Sequence, residues 1–162
     1  MAPPTYTSAL SVGAGHGLSA SLTRALRTEG LAVAIAARDT AKLAPLCTET
    51  GARAFGCDAQ DEAQVQQLFA AVDRAQGAPD VVIYNASART RGAIVQLVPA
   101  EVQRALQVTA FGAFLVARPV QRVEHVGREL RGLVEHRRHD VGVGLLVTGQ
   151  RGDLVEAGQL GH

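Results

Sequence analysis

Three glycines within five residues, Gly13, Gly15 and Gly17, form the stretch of this 162-residue chain whose spacing best suggests chemistry. They lie between a short apolar run and the amphipathic pattern of a helix. A glycine turn that joins a parallel strand to a helix gathers backbone N–H groups and the positive end of the helix dipole at one point, and this point favours a phosphate. The spacing alone is weak evidence, because an ordinary flexible turn can show it. The strand–loop–helix context favours the phosphate site, where His16 is placed to touch a phosphate and not to act as a base.

The end of the next apolar run bears on which nucleotide such a loop would bind. Residues 31–37 read LAVAIAA, a continuous run typical of a strand buried on both faces. A site for NAD places a carboxylate about twenty residues after the loop, where it binds the ribose hydroxyls. Here the run ends in Ala36 and Ala37, and Arg38 follows. An arginine there can bind a 2′-phosphate through two hydrogen bonds, or it can be a solvated residue that begins a helix. The combination favours NADP over NAD.

Composition limits the classes of partner. The net charge is +1 and aromatic residues make up 4% of the chain, so we expect no nucleic-acid partner. No apolar stretch is long enough to span a bilayer, and the first residues lack the basic and apolar regions of a secretory signal. We therefore expect no membrane partner and a cytoplasmic location.

The cysteines and histidines do not predict a metal site. Cys47 and Cys57 lack the spacing of metal or redox motifs. His136 and His139 are three residues apart, with His125 upstream, and such a spacing can serve a metal. The stretch is rich in arginine, however, and a solvated basic face is the favoured interpretation.

Apolar runs alternate with helical patterns from the start of the chain to about residue 118. Alternation of this kind predicts right-handed crossovers and an α/β fold, a Rossmann-like doubly wound parallel sheet. We expect Leu18 on the buried face of the first helix, and Leu106 on that of one long helix over residues 99–118. Asp39 or Thr40 is expected to cap the second helix, and Asp61 the third. The predicted strands cover residues 6–12, 31–37, 52–58 and 80–86.

The composition changes after Arg118. Residues 1–118 contain 27 alanines, whereas residues 119–162 contain only Ala157. We predict a dinucleotide-binding domain at 1–118 and an atypical tail at 119–162, which is either frameshifted or a genuine short variant. Translating the coding DNA in all three frames would distinguish the two. In either case the C-terminal half of the fold is truncated or replaced, and we expect the fourth strand to be left as an open edge.

Several motifs resemble those of the short-chain dehydrogenase/reductase family, in the same order and over residues 6–118. They are VGAGHGLSASLTRAL, VAIAARDTAKL, FGCDAQDEAQV, VIYNASA and LQVTAFGAFLVAR. The chain departs from the family pattern at Val12 and Ser19 of the glycine loop, and Thr109 stands where the family often carries asparagine. The resemblance implies a sheet that binds NAD(P). Together with the glycine loop and the end of the second strand, it gives the predicted cofactor contacts, which are Gly13, Gly15, His16, Gly17, Leu18, Arg38, Asp58, Asn85 and Ala86.

The family's catalytic residues have no counterpart in this sequence. The resemblance implies a serine and a Tyr-x-x-x-Lys pair that act on a carbonyl or alcohol substrate. Lys42 is the only lysine, and neither tyrosine nor serine follows Ser87. We therefore expect an oxidoreductase by family that binds NADP(H) but is inactive alone. A non-catalytic dinucleotide-binding or regulatory protein and an inactive fragment are the alternatives. The oligomeric state is left open, and a homo-oligomer formed through the long helix is one alternative.

Overall fold

Four apolar runs form parallel strands in the computed structural model, which describes residues 6–120 and 145–148. Each is a little shorter than its predicted range, as strand ends commonly are. A further short strand, β5, pairs antiparallel with β4. The strands are β1 (Ser8–Val12), β2 (Ala32–Ala37), β3 (Arg53–Gly56), β4 (Val81–Tyr84) and β5 (Leu145–Thr148).

The strand order is β3-β2-β1-β4-β5. The chain proceeds from β1 to β2 and β3 on one side, and then returns to place β4 on the other side of β1. All three pairings among these four strands are parallel. The order therefore reverses between β1 and β4, and a crevice at the carboxyl ends of these strands is where such sheets bind ligands. The predicted Rossmann-like fold is confirmed.

Within residues 6–120, five α-helices connect or follow the strands. Asp61 caps α3 as predicted, because its Oδ1 accepts a hydrogen bond from the backbone N–H of Gln64 at 3.1 Å. That bond lowers the pKa of Asp61. Thr40 makes no capping bond, and Asp39 instead accepts from Ala41 N–H at 3.1 Å in a 3₁₀ turn before α2. The helices are α1 (Leu18–Thr28), α2 (Ala44–Thr50), α3 (Glu62–Gln76), α4 (Pro99–Leu106) and α5 (Gly112–Val120).

Strands β1, β2 and β4 are buried on both faces, which explains their continuous apolar runs. Alternate residues of each strand point to opposite faces. Ala9 of β1 belongs to a cluster that contains Leu26 of α1 and Leu46 of α2. The neighbouring Leu10 belongs to a second cluster, with Leu68 of α3 and α5 residues. One helix pair therefore covers each face.

Helical residues run without a gap over 99–120, close to the predicted 99–118, but the stretch is not α-helical throughout. Gln107–Phe111 forms a π-helical segment between α4 and α5. A π-helical turn takes extra residues, so residues before and after it no longer share one α-helical face. Leu106 is consequently 61% exposed, whereas Leu115 and Val116 are buried.

The expected burial of Leu18 is also wrong, since this side chain is 49% exposed. The buried face of α1 consists instead of Ser19, Ala20, Thr23 and Leu26. Thr23 satisfies its hydroxyl by donating to the backbone carbonyl of Ser19 at 2.7 Å. Small side chains at these positions let the helix lie close to the sheet, and Leu18 is left at the rim of the glycine loop.

The expectation of an open edge at β4 is wrong for the described residues, because Tyr84 pairs with Leu145 and Val81 with Thr148. The predicted domain boundary at Arg118 lies inside α5 and stays a prediction. Most of the proposed tail, including His125, His136 and His139, lies outside the described residues. None of the helices in the described part is long and apolar enough to cross a membrane.

Two leucine truncations test the shift in register across Gln107–Phe111. Leu115→Ala is expected to lower the free energy of unfolding by about 2–5 kcal/mol, because Leu115 is 3% exposed. Leu106→Ala removes the same atoms from an exposed site and is expected to change the free energy of unfolding by less than about 0.5 kcal/mol. Urea unfolding followed by circular dichroism measures both, and equal losses would contradict the assigned register.

Candidate functional site

The carboxyl ends of β1 and β4 are level, and this sets the position of the loops that follow them. Val12 is the partner of Tyr84 in the ladder, and Asn85 N–H donates to the Val12 carbonyl at 2.8 Å. The N–H groups of Gly13 and Ala14 both donate to the Ala36 carbonyl of β2 at 2.9 Å. The glycine loop (residues 13–17) is therefore anchored between β2 and β4.

Gly13 is required by its conformation and by its neighbour. Its φ is +85°, in the region that side chains disfavour. A Cβ at Gly13 would overlap the backbone nitrogen of Ala86 and lie 2.6 Å from the Ala86 Cβ. At Gly15 and Gly17, in contrast, a Cβ would meet nothing within 4 Å. The first glycine closes the crevice at its base, and the other two leave open space over the loop.

Ser19 and Asn85 connect the two walls of the crevice. Asn85 Nδ2 donates to Ser19 Oγ at 2.8 Å, and Ser19 Oγ donates to the Gly13 carbonyl at 3.4 Å. Ser19 is 1% exposed, so it takes the place of the family's last glycine without preventing close packing. The side-chain amide of Asn85 is thus directed at α1, and Asn85 lines the crevice as part of its wall.

The loop after β4 (residues 85–88) is held from the other side by the π-helical segment. Thr109 Oγ1 accepts from Ala88 N–H at 3.2 Å and donates to the Ala88 carbonyl at 3.3 Å. The hydroxyl of Tyr84 donates to the carbonyl of Val108. Gly112 makes room for this phenol, since a Cβ there would overlap the hydroxyl. Nothing in the sequence pattern predicts this pairing of Tyr84 with Gly112.

Burial changes the acidity of two groups near the end of β4. It raises the pKa of Tyr84 to about 12, with a smaller contribution from the charge of Asp58. It also raises the pKa of Cys57 to about 11, aided by Asp58 and Asp61. Near neutral pH the phenol therefore stays protonated and the thiol stays unreactive.

Arg38 and Asp58 follow β2 and β3 at the same edge of the sheet. Arg38 is exposed. Asp58 is partly buried, and its Oδ1 accepts from the N–H of Gln60 at 3.1 Å, which fixes the carboxylate. His16 is exposed at the tip of the glycine loop, and Leu18 is exposed as the first residue of α1. All nine predicted contact residues thus lie along the carboxyl ends of β1 to β4.

The sequence interpretation missed a groove between α1 and α2. This α1–α2 groove encloses about 100 Å³ and is lined by His16, Arg24, Lys42 and Glu49, among others. Arg24 and Glu49 form two parallel hydrogen bonds of 2.6 and 2.7 Å, which lower the pKa of Glu49. Lys42 Nζ lies 3.3 Å from Asp39 Oδ2. No sequence signal marks this groove, because it depends on how α2 lies against α1.

A metal site finds no support in residues 6–120, where no trio of histidine, cysteine or acidic side chains could hold an ion. Cys47 and Cys57 are both unpaired thiols.

The strand order and the anchored glycine loop define a Rossmann-like α/β protein. A family model described as enoyl-(acyl carrier protein) reductase matches residues 13–132. The chain belongs to the short-chain dehydrogenase/reductase family of oxidoreductases and covers the N-terminal part of its fold. Proteins of this family bind nicotinamide dinucleotides.

Individual relatives agree with this assignment. Sorbitol-6-phosphate 2-dehydrogenase of Escherichia coli K12 is 32% identical over 122 residues, which are 71% of this chain and 47% of that protein. A variant of actinorhodin polyketide ketoreductase, solved with NADPH, is 28% identical with a TM-score of 0.66, over 70% of this chain and 45% of its own. A short-chain dehydrogenase from Mycobacterium smegmatis shares the fold at 22% identity, with a TM-score of 0.68 over 72% and 51%. The chain thus spans about half the length of these relatives.

Two glycine substitutions test the closed base of the crevice. Gly13→Ala is expected to lower the free energy of unfolding by more than about 1 kcal/mol, because the new methyl group overlaps Ala86 and the φ is unfavourable. Gly15→Ala is the matched control, and it is expected to change stability by no more than about 1 kcal/mol in either direction. Thermal unfolding measures both. Equal tolerance at the two positions would contradict the close approach.

An alkaline titration tests the environment of Tyr84. The pKa in the folded chain, about 12, is higher than the ordinary value of 10.0, so the neutral phenol stabilises the fold below pH 10. This contribution is lost as the pH rises from about 10 towards 12. Ultraviolet absorbance of the phenolate, compared with Tyr84→Phe, isolates this group. A Tyr84 that ionises near pH 10 while the chain is folded would contradict the buried geometry.

Proposed function

We propose that this chain binds NADP(H) in the crevice between the glycine loop and residues 85–88, and that it transfers no hydride by itself. The observation that supports the site best is the contrast among the three glycines. Gly13 closes the base of the crevice against Ala86, whereas Gly15 and Gly17 leave its upper part open. Space over backbone N–H groups at the start of a helix suits a pyrophosphate.

The remaining residues fit the other parts of a dinucleotide. Asp58, at the end of β3, is placed for the adenine, as the family resemblance implies. Asn85 and Ala86 form the wall opposite the glycine loop. Leu18 offers an exposed apolar side chain beside that loop, where a flat ring could pack against it. The nicotinamide of a bound cofactor would supply or accept the hydride, and the chain's own residues hold and orient it.

The preference for NADP rests on charge. Ala37 ends β2 without a carboxylate, and Arg38 follows it in an exposed position. The next acid, Asp39, is engaged with Lys42 and with Ala41 N–H. A 2′-phosphate would therefore meet a guanidinium that can bind it with two hydrogen bonds.

The absence of turnover rests on residue types and on the state of Tyr84. Lys42 is the only lysine, and no tyrosine or serine follows Ser87. The hydroxyl of Tyr84 donates its hydrogen bond to the Val108 carbonyl, and its pKa of about 12 disfavours proton release near neutral pH. Reaction with a carbonyl or alcohol substrate would need catalytic groups from outside this sequence. Cytoplasmic location and self-association stay predictions.

Isothermal titration calorimetry with NADPH and NADH tests the proposal. We expect NADPH to bind about tenfold more tightly than NADH, because a charged hydrogen-bond pair contributes about 1.5–3 kcal/mol. Arg38→Ala should remove most of this difference and leave NADH binding unchanged. Arg104→Ala, on the exposed surface of α4, is the matched control.

Three results would count against the proposal. A folded chain that binds neither nucleotide would contradict the site. Equal affinity for NADH and NADPH would contradict the NADP preference alone. Oxidation of NADPH by this chain with a ketone would contradict the absence of turnover and indicate that another residue donates the proton.

A further inference from the structure

We propose that Lys42 is a specificity-determining residue, which binds the 2′-phosphate of NADP from the α1–α2 groove. The inference rests on the proposed function and adds to it a residue that the comparison of motifs does not supply. Arg38 does not line this groove, whereas Lys42 and His16 both line it. The phosphate would thus lie between Arg38 at the end of β2 and Lys42 in the turn before α2.

The α1–α2 groove shares two residues with the glycine loop that borders the proposed crevice. Gly15 and His16 belong to the glycine loop and also form one wall of the groove. Lys42 and Leu43 form the facing wall, which follows directly from the end of β2. With a volume of about 100 Å³, the groove has room for a few water molecules or for one small anion. This size fits a phosphate group and is too small for a nucleobase and its sugar together.

The charges around the groove leave Lys42 as its available cation. The carboxylate of Glu49 is neutralised by Arg24 through two hydrogen bonds, so it neither repels an anion strongly nor leaves Arg24 available. Within the described residues, the remaining acid near Lys42 is Asp39, at 3.3 Å. The side chains of this pair are 71% and 51% exposed, and such surface pairs are weak.

A 2′-phosphate can replace Asp39 as the partner of Lys42. A phosphate monoester carries a charge between about −1.5 and −2 near neutral pH, which is greater than that of one carboxylate. The ammonium group is a compact charge on a flexible stem, so it needs little geometric precision to change partner. Asp39 keeps its own hydrogen bond from Ala41 N–H through the other oxygen, so the turn can stay folded during the exchange.

Binding of NADPH and NADH to Lys42 variants tests this inference. Lys42→Gln should weaken NADPH binding about threefold to fivefold, a part of the tenfold preference, and leave NADH binding unchanged, because NADH lacks the 2′-phosphate. Lys42→Arg should retain most of the NADPH affinity. Asp39→Asn, which preserves the shape of the turn, should strengthen NADPH binding by removing the competing charge. Arg104→Gln serves as the control for general loss of positive charge.

The outcomes separate this inference from the function on which it rests. Equal weakening of NADPH and NADH by Lys42→Gln would indicate a structural role and overturn the inference. The inference would also be overturned if the Lys42→Gln variant kept the same preference for NADPH as the wild-type chain. In that case the proposed function would stand. A folded wild-type chain that binds neither nucleotide would overturn both. Circular dichroism confirms folding of each variant.

Discussion

The close approach of Gly13 to Ala86 determines the geometry of the whole site. It brings the loops after β1 and β4 into contact, and this requires the two strands to be adjacent, parallel and level at their ends. The hydrogen bond from Asn85 N–H to the Val12 carbonyl holds the two strand ends level. The hydrogen bonds from residues 13 and 14 to the Ala36 carbonyl hold the glycine loop against β2. The opening of the crevice then begins above Gly13, where the chain enters α1.

Around this contact, residues that depart from the family pattern form hydrogen bonds of their own. Ser19, in place of a glycine, holds the side chain of Asn85. Thr109, in place of an asparagine, holds both backbone groups of Ala88. Buried polar groups are costly when they lack partners, so satisfied pairs of this kind can stabilise a divergent site as well as the usual residues do. The departures therefore leave a well-formed crevice.

The sequence predicted the positions of the helices and strands better than it predicted which helix faces are buried. Strands buried on both sides have continuous apolar sequences, so β1, β2 and β4 could be located to within a few residues. Asp61 predicted the start of α3, because aspartate is a common capping residue. Leu106 was misplaced because a π-helical segment shifts register without any marker in the sequence. Leu18 was misplaced because serine and threonine, which look polar, satisfy their hydroxyls locally and occupy the buried face of α1. The pairing of Lys42 with the α1–α2 groove depends on how α2 lies against α1, which is a tertiary contact.

The most direct measurement of the central claim is a titration of isotope-labelled chain with NADPH, followed by two-dimensional NMR of its backbone amides. If the crevice binds the cofactor, the largest shifts should fall on the glycine loop, Ala86 and the residues that follow β2. The amides of α4, which supplies none of the nine predicted contact residues, should change little. Large shifts confined to α4, or none anywhere at saturating NADPH, would contradict the account of this crevice as a dinucleotide site.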